Sequence, residues 1–329
     1  MSDLSRTTNT APAAQHTDDT PVRFGVIGAG FIARWFAEAV SQEPAAQIVA
    51  VTSAHRERAA AFAQEHGISH AHASLEEMLA AHGPDSEAPI DVVYVGSPNS
   101  LHAEHTIAAL EAGFHVLVEK PFALTAAQAH AMVEAARRAG RFLMEGWLSA
   151  FEPGVARLRE VLPRLGRLHR VVLSKEQFSS RMEAYRAGHL PPAFDPALGG
   201  GSLMDLGIYP VSLAIHLFGE PDRVTATGEL LSSGVDVRGT VILSYDSGEH
   251  AGMEVVCLHS KTSPGTESPR TGTSWPLMTA SGPSGSSCAG RRRTVTRLRG
   301  RRRARTCRSS ARSRSPGISS PTRWPRSAA

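Results

Sequence analysis

The spacing of apolar residues divides the chain. From Pro21 to Gly146, short apolar runs alternate with segments of helical period. RFGVIGAG reads as a buried strand ending in glycines. FIARWFAEAVSQ follows as a helix, with Phe31, Trp35 and Ala39 on one stripe and Ile32, Phe36 and Val40 on its neighbour. QIVAVTS predicts a second strand, and RERAAAFAQEHG a helix stopped by Gly67. IDVVYVGSP, FHVLVEKP and RFLMEGW are further strands. LHAEHTIAALEAG and TAAQAHAMVEAARRAG are the helices between them, the second with Thr125 as its N-cap. Strand and helix in strict turn imply a parallel sheet covered on both faces.

After Trp147 the period changes to two. RLHRVVLSKEQF, RVTATGELL, VDVRGTVILSYDSG and EHAGMEVVCLHS predict longer strands, several joined by turn residues such as SSG and DSG. A mixed, largely antiparallel sheet is expected, with GGGSLMDLGIYPVSLAIHLFG as a helix packed on it. On that helix Asp205 and Tyr209 stand four residues apart, one turn along one face. Gly199, Gly200 and Gly201 would let a ligand approach the start of the helix.

Composition adds a boundary that the periodicity only hints at. No Asp or Glu follows Glu267, whereas 15 arginines lie between Ser268 and Ala329. Residues 1–267 are acidic, with 20 basic and 31 acidic side chains. Residues 291–329 draw 34 of 39 positions from Arg, Ser, Ala, Thr, Pro and Gly, too few apolar groups for a core. Two readings fit this end. It is an arginine tail for a polyanion such as nucleic acid, the less favoured partner, or the product of a frame lost between Ser263 and Thr273, which the GC-rich composition favours. Residues 1–20 are polar and lack the apolar segment of a secretory signal. No apolar run long enough to span a bilayer is expected. Three scattered cysteines suggest neither a disulfide framework nor a zinc site, which points to a reducing cytoplasm. His66, His70, His72 and His82 match no metal-ligand spacing and are expected to be solvated.

The chemistry starts at GAGFIA. Gly28, Gly30 and Ala33 form G-x-G-x-x-A between a strand and a helix, with Phe31 and Ile32 inside the turn. In that context the first glycine makes the turn, the second admits a pyrophosphate and the alanine packs helix on strand. The anion rests on the unpaired N–H groups of the helix start. The second strand ends without the acid that usually holds the ribose hydroxyls of NAD. Ser53, His55 and Arg56 stand there instead and suit a 2′-phosphate, so NADP is expected, with NAD possible. At the end of a later strand, Glu119, Lys120 and Pro121 place a lysine where an α/β sheet binds ligands.

GAGFIA, SPNSLH, LEAGFHVLVEKPFALTAAQA and GGGSLMDLGIY, in this order, resemble the glucose–fructose oxidoreductase, inositol dehydrogenase and MocA (Gfo/Idh/MocA) family over Val22 to Leu258. The resemblance implies an α/β fold: a Rossmann doubly wound parallel sheet, then an α/β domain with an open, largely antiparallel sheet that often forms a subunit interface. It implies hydride transfer with NAD(P) at a carbinol or carbonyl carbon of a sugar, cyclitol or dihydrodiol, without a metal. Carried residue by residue, Ser97, Pro98, Asn99 and His102 flank the nicotinamide ribose, Glu119 belongs to the EKP segment, and Lys120 is the catalytic lysine. Asp205 matches the motif acid. Tyr209, where many members have histidine, resembles the branch with dimeric dihydrodiol dehydrogenase and NADP-dependent xylose dehydrogenase. Ala54 and Ala150 stand where arginines are common. In this reading Tyr209 exchanges a proton with the substrate oxygen. A free tyrosine titrates near pH ~10, so a neighbouring cation must help, and Lys120 is the candidate. Without the resemblance, a packed helix tyrosine is an equal alternative. The domains expected are a tail at 1–20, a dinucleotide domain at 21–146, a substrate and dimerisation domain at 147–260, its sheet cut short, and a basic tail at 261–329.

Overall fold

The computed structural model describes residues 20–262 and 278–281. The expectations for residues 1–19, for the change of frame and for the arginine-rich end lie outside the described residues.

Six parallel strands form the first sheet: β1 (Val22–Ile27), β2 (Ala46–Thr52), β3 (His70–His72), β4 (Val92–Val95), β5 (His115–Glu119) and β6 (Leu143–Gly146). Their order is β3-β2-β1-β4-β5-β6. The direction of winding therefore reverses between β1 and β4, which opens a crevice at their carboxyl ends. Helices α1 (Phe31–Ser41) and α2 (Arg56–His66) cover one face through Ala33, Ala37, Phe62 and Ala63. Helices α3 (Leu75–Ala81), α4 (His102–Glu111) and α5 (Ala126–Ala139) cover the other through Met78, Ala109, Leu110 and Met132. Thr125 caps α5 by accepting from the Gln128 amide, and Gly67 ends α2 at φ +66°, both as expected.

Helix α1 leaves its Phe31–Trp35 stripe exposed. Those rings are 59% and 57% exposed and lie against each other, because Ala33 and Ala37 let the helix approach the sheet more closely than rings could. The histidine segment departs from the solvated reading in part: His70 is exposed as expected, but His72 is half-buried. His70 and His72 form β3, and His82 at the end of α3 is buried. His82 Nδ1 faces the Ala88 carbonyl at 2.6 Å and its Nε2 meets His72 Nε2 at 2.9 Å.

The second sheet has order β11-β8-β9-β10-β7, from β7 (Arg170–Glu176), β8 (Arg223–Leu230), β9 (Asp236–Tyr245), β10 (Met253–Ser260) and β11 (Met278–Ser281). All pairings are antiparallel except β10 with β7. After α6 (Pro153–Val161) and α7 (Met182–Arg186), helix α8 (Ile208–Phe218) covers one face, with Ala214 and Phe218 against Val241, Leu243, Val255 and Cys257. The fold does not stop at Ser260: Lys261 and Thr262, assigned by composition to the tail, are buried. One stretch also departs from the hydropathy reading. Pro196–Phe218, 23 residues whose most apolar 18-residue window has mean hydropathy 1.3, has the length and composition of a membrane span, and here its last part, α8, is laid on the second sheet.

Candidate active site

The crevice begins at Gly28. Its φ is +107°, and a Cβ there would stand 2.5 Å from the Gly96 carbonyl oxygen. Only glycine lets the ends of β1 and β4 come this close. The Gly28 amide donates to Thr52 O at 2.8 Å, which ties the turn to β2. Above Gly30 nothing lies within 4 Å of where a Cβ would be, and no side chain caps the first turn of α1. Open space over uncapped N–H groups fits a pyrophosphate. Ala33 is fully buried behind the turn. Ile32 is half-buried and Phe31 exposed beside it. At the end of β2, Ser53 is half-buried, while His55 and Arg56 are exposed at the start of α2.

The first three glycines of GGGSLMDLGIYP sit in a crowded stretch of the chain. A Cβ on Gly199 would meet Leu124 at 2.6 Å, one on Gly200 the Ala193 backbone at 2.9 Å, and one on Gly201 the Asp236 carboxylate at 2.4 Å. They let residues 199–201 thread between packed neighbours, and Gly200 also lines the pocket that holds Lys120 and Asp205. Asp236, half-buried, accepts from the Leu203 amide at 2.7 Å and anchors the start of the next turns. Leu203–Gly207 is a π-helical turn, and α8 follows it, so Asp205 and Tyr209 do not share a regular α-helix. One-turn π segments often occur where side chains are aimed at a site.

Lys120 joins the two sheets. From the end of β5 its Nζ donates to Asp205 Oδ1 at 3.0 Å and to the Asp205 carbonyl at 3.1 Å. It lies 5.1 Å from the centre of the Tyr209 ring. Burial alone would lower the Lys120 pKa. The charges of Asp205 and Tyr209 and the hydrogen bond to Asp205 outweigh it, and the ammonium is held above its ordinary range. Burial would raise Asp205, but Lys261 and Lys120 hold it below the usual carboxylate value. Asn99 Nδ2 donates to Gly199 O at 3.0 Å, a second link between the halves. Pro98, Asn99, Lys120, Arg181, Asp205 and Lys261 line a pocket of about 200 Å³.

Two residues expected at the cofactor have side chains engaged by the protein itself. His102 is 1% exposed; its Nδ1 faces Pro121 O at 2.8 Å and its Nε2 faces Ser97 O at 3.0 Å. It braces the loops after β4 and β5 and is not open to a ligand. Glu119 accepts from the Tyr94 hydroxyl at 2.7 Å and from the Lys120 amide at 3.2 Å, and burial raises its pKa. It orients the backbone that carries Lys120. Ser97 also meets His105 Nδ1 through its Oγ at 3.0 Å.

Sequence reasoning missed Lys175, whose Nζ lies 5.4 Å from the Tyr209 ring on the side of β7, and also Lys261, Asp236 and His259. The period-two pattern held the signal for two of them. Met253, Val255 and Cys257 face inward, and the same alternation places His259 and Lys261 there.

His259 fits because Gly207 and Gly239 leave room; Cβ atoms there would stand 3.0 Å and 2.7 Å from its ring. Its Nδ1 meets Ser202 Oγ at 3.1 Å, and the Asp236 carboxylate lies 3.5 Å away. Burial lowers its imidazole from 6.5 to about 4. The unfolded chain thus binds this proton first. Stability is complete above pH 6.5 and is lost as pH falls towards about 4, by up to about 3 kcal/mol. The thermal midpoint should drop more steeply across that window in the wild type than in His259→Gln. Equal slopes would remove His259 as the cause.

Comparison with known proteins agrees with this geometry. The family model GFO_IDH_MocA, described as an oxidoreductase family with an NAD-binding Rossmann fold, matches residues 22–147, and the GFO/IDH/MocA C-terminal domain matches residues 157–270. The chain is 42% identical to scyllo-inositol 2-dehydrogenase (NADP(+)) IolU of Bacillus subtilis over 74% of this chain and 70% of that protein. It is 35% identical to mouse trans-1,2-dihydrobenzene-1,2-diol dehydrogenase over 74% of this chain and 71% of that one. Among solved structures, KijD10, a 3-ketoreductase from Actinomadura kijaniata in complex with NADP and TDP-benzene, aligns with a TM-score of 0.63 at 27% identity. That alignment covers 74% of this chain and 71% of KijD10.

Proposed function

The chain belongs to the Gfo/Idh/MocA family of NAD(P)-dependent oxidoreductases, and on that footing we propose that it moves hydride between NADP and a ring carbinol or carbonyl carbon of a cyclitol, sugar or dihydrodiol. The observation that carries this reading is the position of Lys120, 3.0 Å from Asp205 and 5.1 Å from the Tyr209 ring, in the pocket that Pro98 and Asn99 also line. A nicotinamide, when bound, supplies or accepts the hydride. Gly28, Gly30 and the first turn of α1 would hold the pyrophosphate, and Ser97, Pro98 and Asn99 would border the nicotinamide side. The Tyr209 hydroxyl gives the proton to, or takes it from, the substrate oxygen. Lys120 stays charged, so its task is to stabilise negative charge on the phenol and on the substrate oxygen. Asp205 holds Lys120 in place.

The relatives support the substrate class, since one acts on an inositol and another on a dihydrodiol. They support NADP through the cofactor named for IolU. Ser53, His55 and Arg56 would hold its 2′-phosphate at the end of β2. Arg56→Ala should weaken NADPH binding by about tenfold, the order of one charge-assisted contact, and leave NADH binding almost unchanged. Fluorescence titration of both cofactors checks this, and equal losses for the two would remove Arg56 from the phosphate site. We also place the protein in the cytoplasm. The second sheet keeps one face clear of α8, with Val172 exposed on β7, which suits self-association.

The test of the reaction is NADP reduction or NADPH oxidation, followed by absorbance, with a panel of inositols, aldoses and trans-dihydrodiols. Binding of NADPH without turnover of any member would mean a nucleotide-binding protein that has lost the chemistry.

A further inference from the structure

Lys261 extends the inward face of β10 by one more residue and is 1% exposed. Its amide donates to Val237 O at 2.8 Å and its carbonyl accepts from the Ser179 amide at 2.9 Å, so the backbone is fixed on both sides. The ammonium donates to Ala193 O at 3.0 Å and pairs with Asp205 Oδ2 at 3.1 Å. It also lies 5.0 Å from the centre of the Phe194 ring. The charged groups that act on it are Asp205, Asp236 and Arg181. A buried ammonium is costly unless paired, and the partner here is the carboxylate that holds Lys120.

Asp205 is therefore gripped by two lysines, one on each oxygen: Lys120 on Oδ1 and Lys261 on Oδ2. A carboxylate with one cation can turn about its own axis. With a second cation fixed in the sheet it has one orientation. We propose that Lys261 is a positioning residue of the reaction, which pins Oδ2 of Asp205 and so directs Oδ1 to the Lys120 ammonium beside Tyr209. This rests on the reading of Lys120 and Tyr209 as the reacting pair. Burial also lowers the Lys261 pKa while that of Lys120 is raised, which agrees with a division of roles between a structural and a reacting cation.

The test uses the full chain with Lys261→Met and Lys261→Arg. Aspartate carboxyl carbons are labelled and followed by NMR against pH, with Asp205 assigned from Asp205→Asn. In Lys261→Met the Asp205 titration should move up by about one pH unit or more, the effect of losing a contacting cation. The acid limb of the kcat profile should move in the same direction. Turnover should fall by about tenfold or more, with NADPH affinity unchanged, and Lys261→Arg should restore most of it. An Asp205 titration and pH profile identical to wild type would overturn the proposal. The carboxyl titration needs no turnover, so a wild-type chain without activity would refute the hydride-transfer reading while Lys261 is still decided. If Lys261→Met does not fold, the pair is read from the other side. The labelled Lys261 side chain should titrate lower in Asp205→Asn, and an unchanged Lys261 would refute the contact.

Discussion

Tyr209→Phe and Lys120→Met should each lower turnover by about 10²–10⁴-fold, the usual contribution of a positioned proton-transfer group, while NADPH affinity stays close to wild type. Phenylalanine keeps the ring that lies 5.1 Å from Lys120 and removes only the hydroxyl. Methionine keeps most of the Lys120 stem and removes the charge, leaving Asp205 with Lys261 alone. Neither change touches Gly28, Gly30 or the first turn of α1, where the pyrophosphate would rest. Single-turnover oxidation of bound NADPH separates the chemical step from binding. Near-normal single-turnover rates in Tyr209→Phe would assign the proton to another group, with Lys175 the nearest cation to examine next. A loss that appeared only as weaker NADPH binding would mean that these residues shape the cofactor site instead.

Gly28→Ala should be the most damaging change in the dinucleotide half. The residue must keep φ at +107° and a Cβ must fit 2.5 Å from the Gly96 carbonyl, a backbone atom that cannot swing aside. The strain of a non-glycine residue in that region is of order 1–3 kcal/mol, and relief requires β1 and β4 to separate at the mouth of the crevice. The expected result is lower thermal stability together with a loss of NADPH affinity of about tenfold or more. Gly30→Ala is the control, because nothing lies within 4 Å of its Cβ position. It should cost little stability and act on cofactor binding alone. Denaturation and fluorescence titration of the two variants give the comparison. A Gly28→Ala protein as stable as wild type would mean that the turn can relax without strain.

The sequence by itself determined the first sheet almost completely. Its strands are short apolar runs and its helices have caps and breakers such as Thr125 and Gly67, all of which act within a few residues. The local chemistry of G-x-G-x-x-A, the strand ending at Glu119 and Lys120, and the alternating strands of the second sheet were legible for the same reason. The segment His70–His72 escaped because a three-residue strand has too few positions for a period. Its hydrogen bonds with β2, 20 residues away, decide it.

Only the tertiary structure decided the site. The pairing of Lys120 with Asp205 spans 85 residues, and no spacing rule reaches that far. The glycines of GGGSLMDLGIYP suggested an opening for a ligand. Packing shows that they are also a path for the chain, because Leu124 and Asp236 from distant segments and Ala193 from the preceding turn converge on them, while Gly200 still lines the pocket. His102 and Glu119 were placed at the cofactor by position in a motif. The structure engages their side chains with Pro121, Ser97 and Tyr94, since side-chain direction depends on what packs against the strand ends. Composition assigned Lys261 to a tail, yet β10 carries it one residue further inward to a carboxylate that can hold its charge. Charged side chains are buried where partners from remote segments meet, and that meeting is a property of the fold, not of the neighbouring sequence.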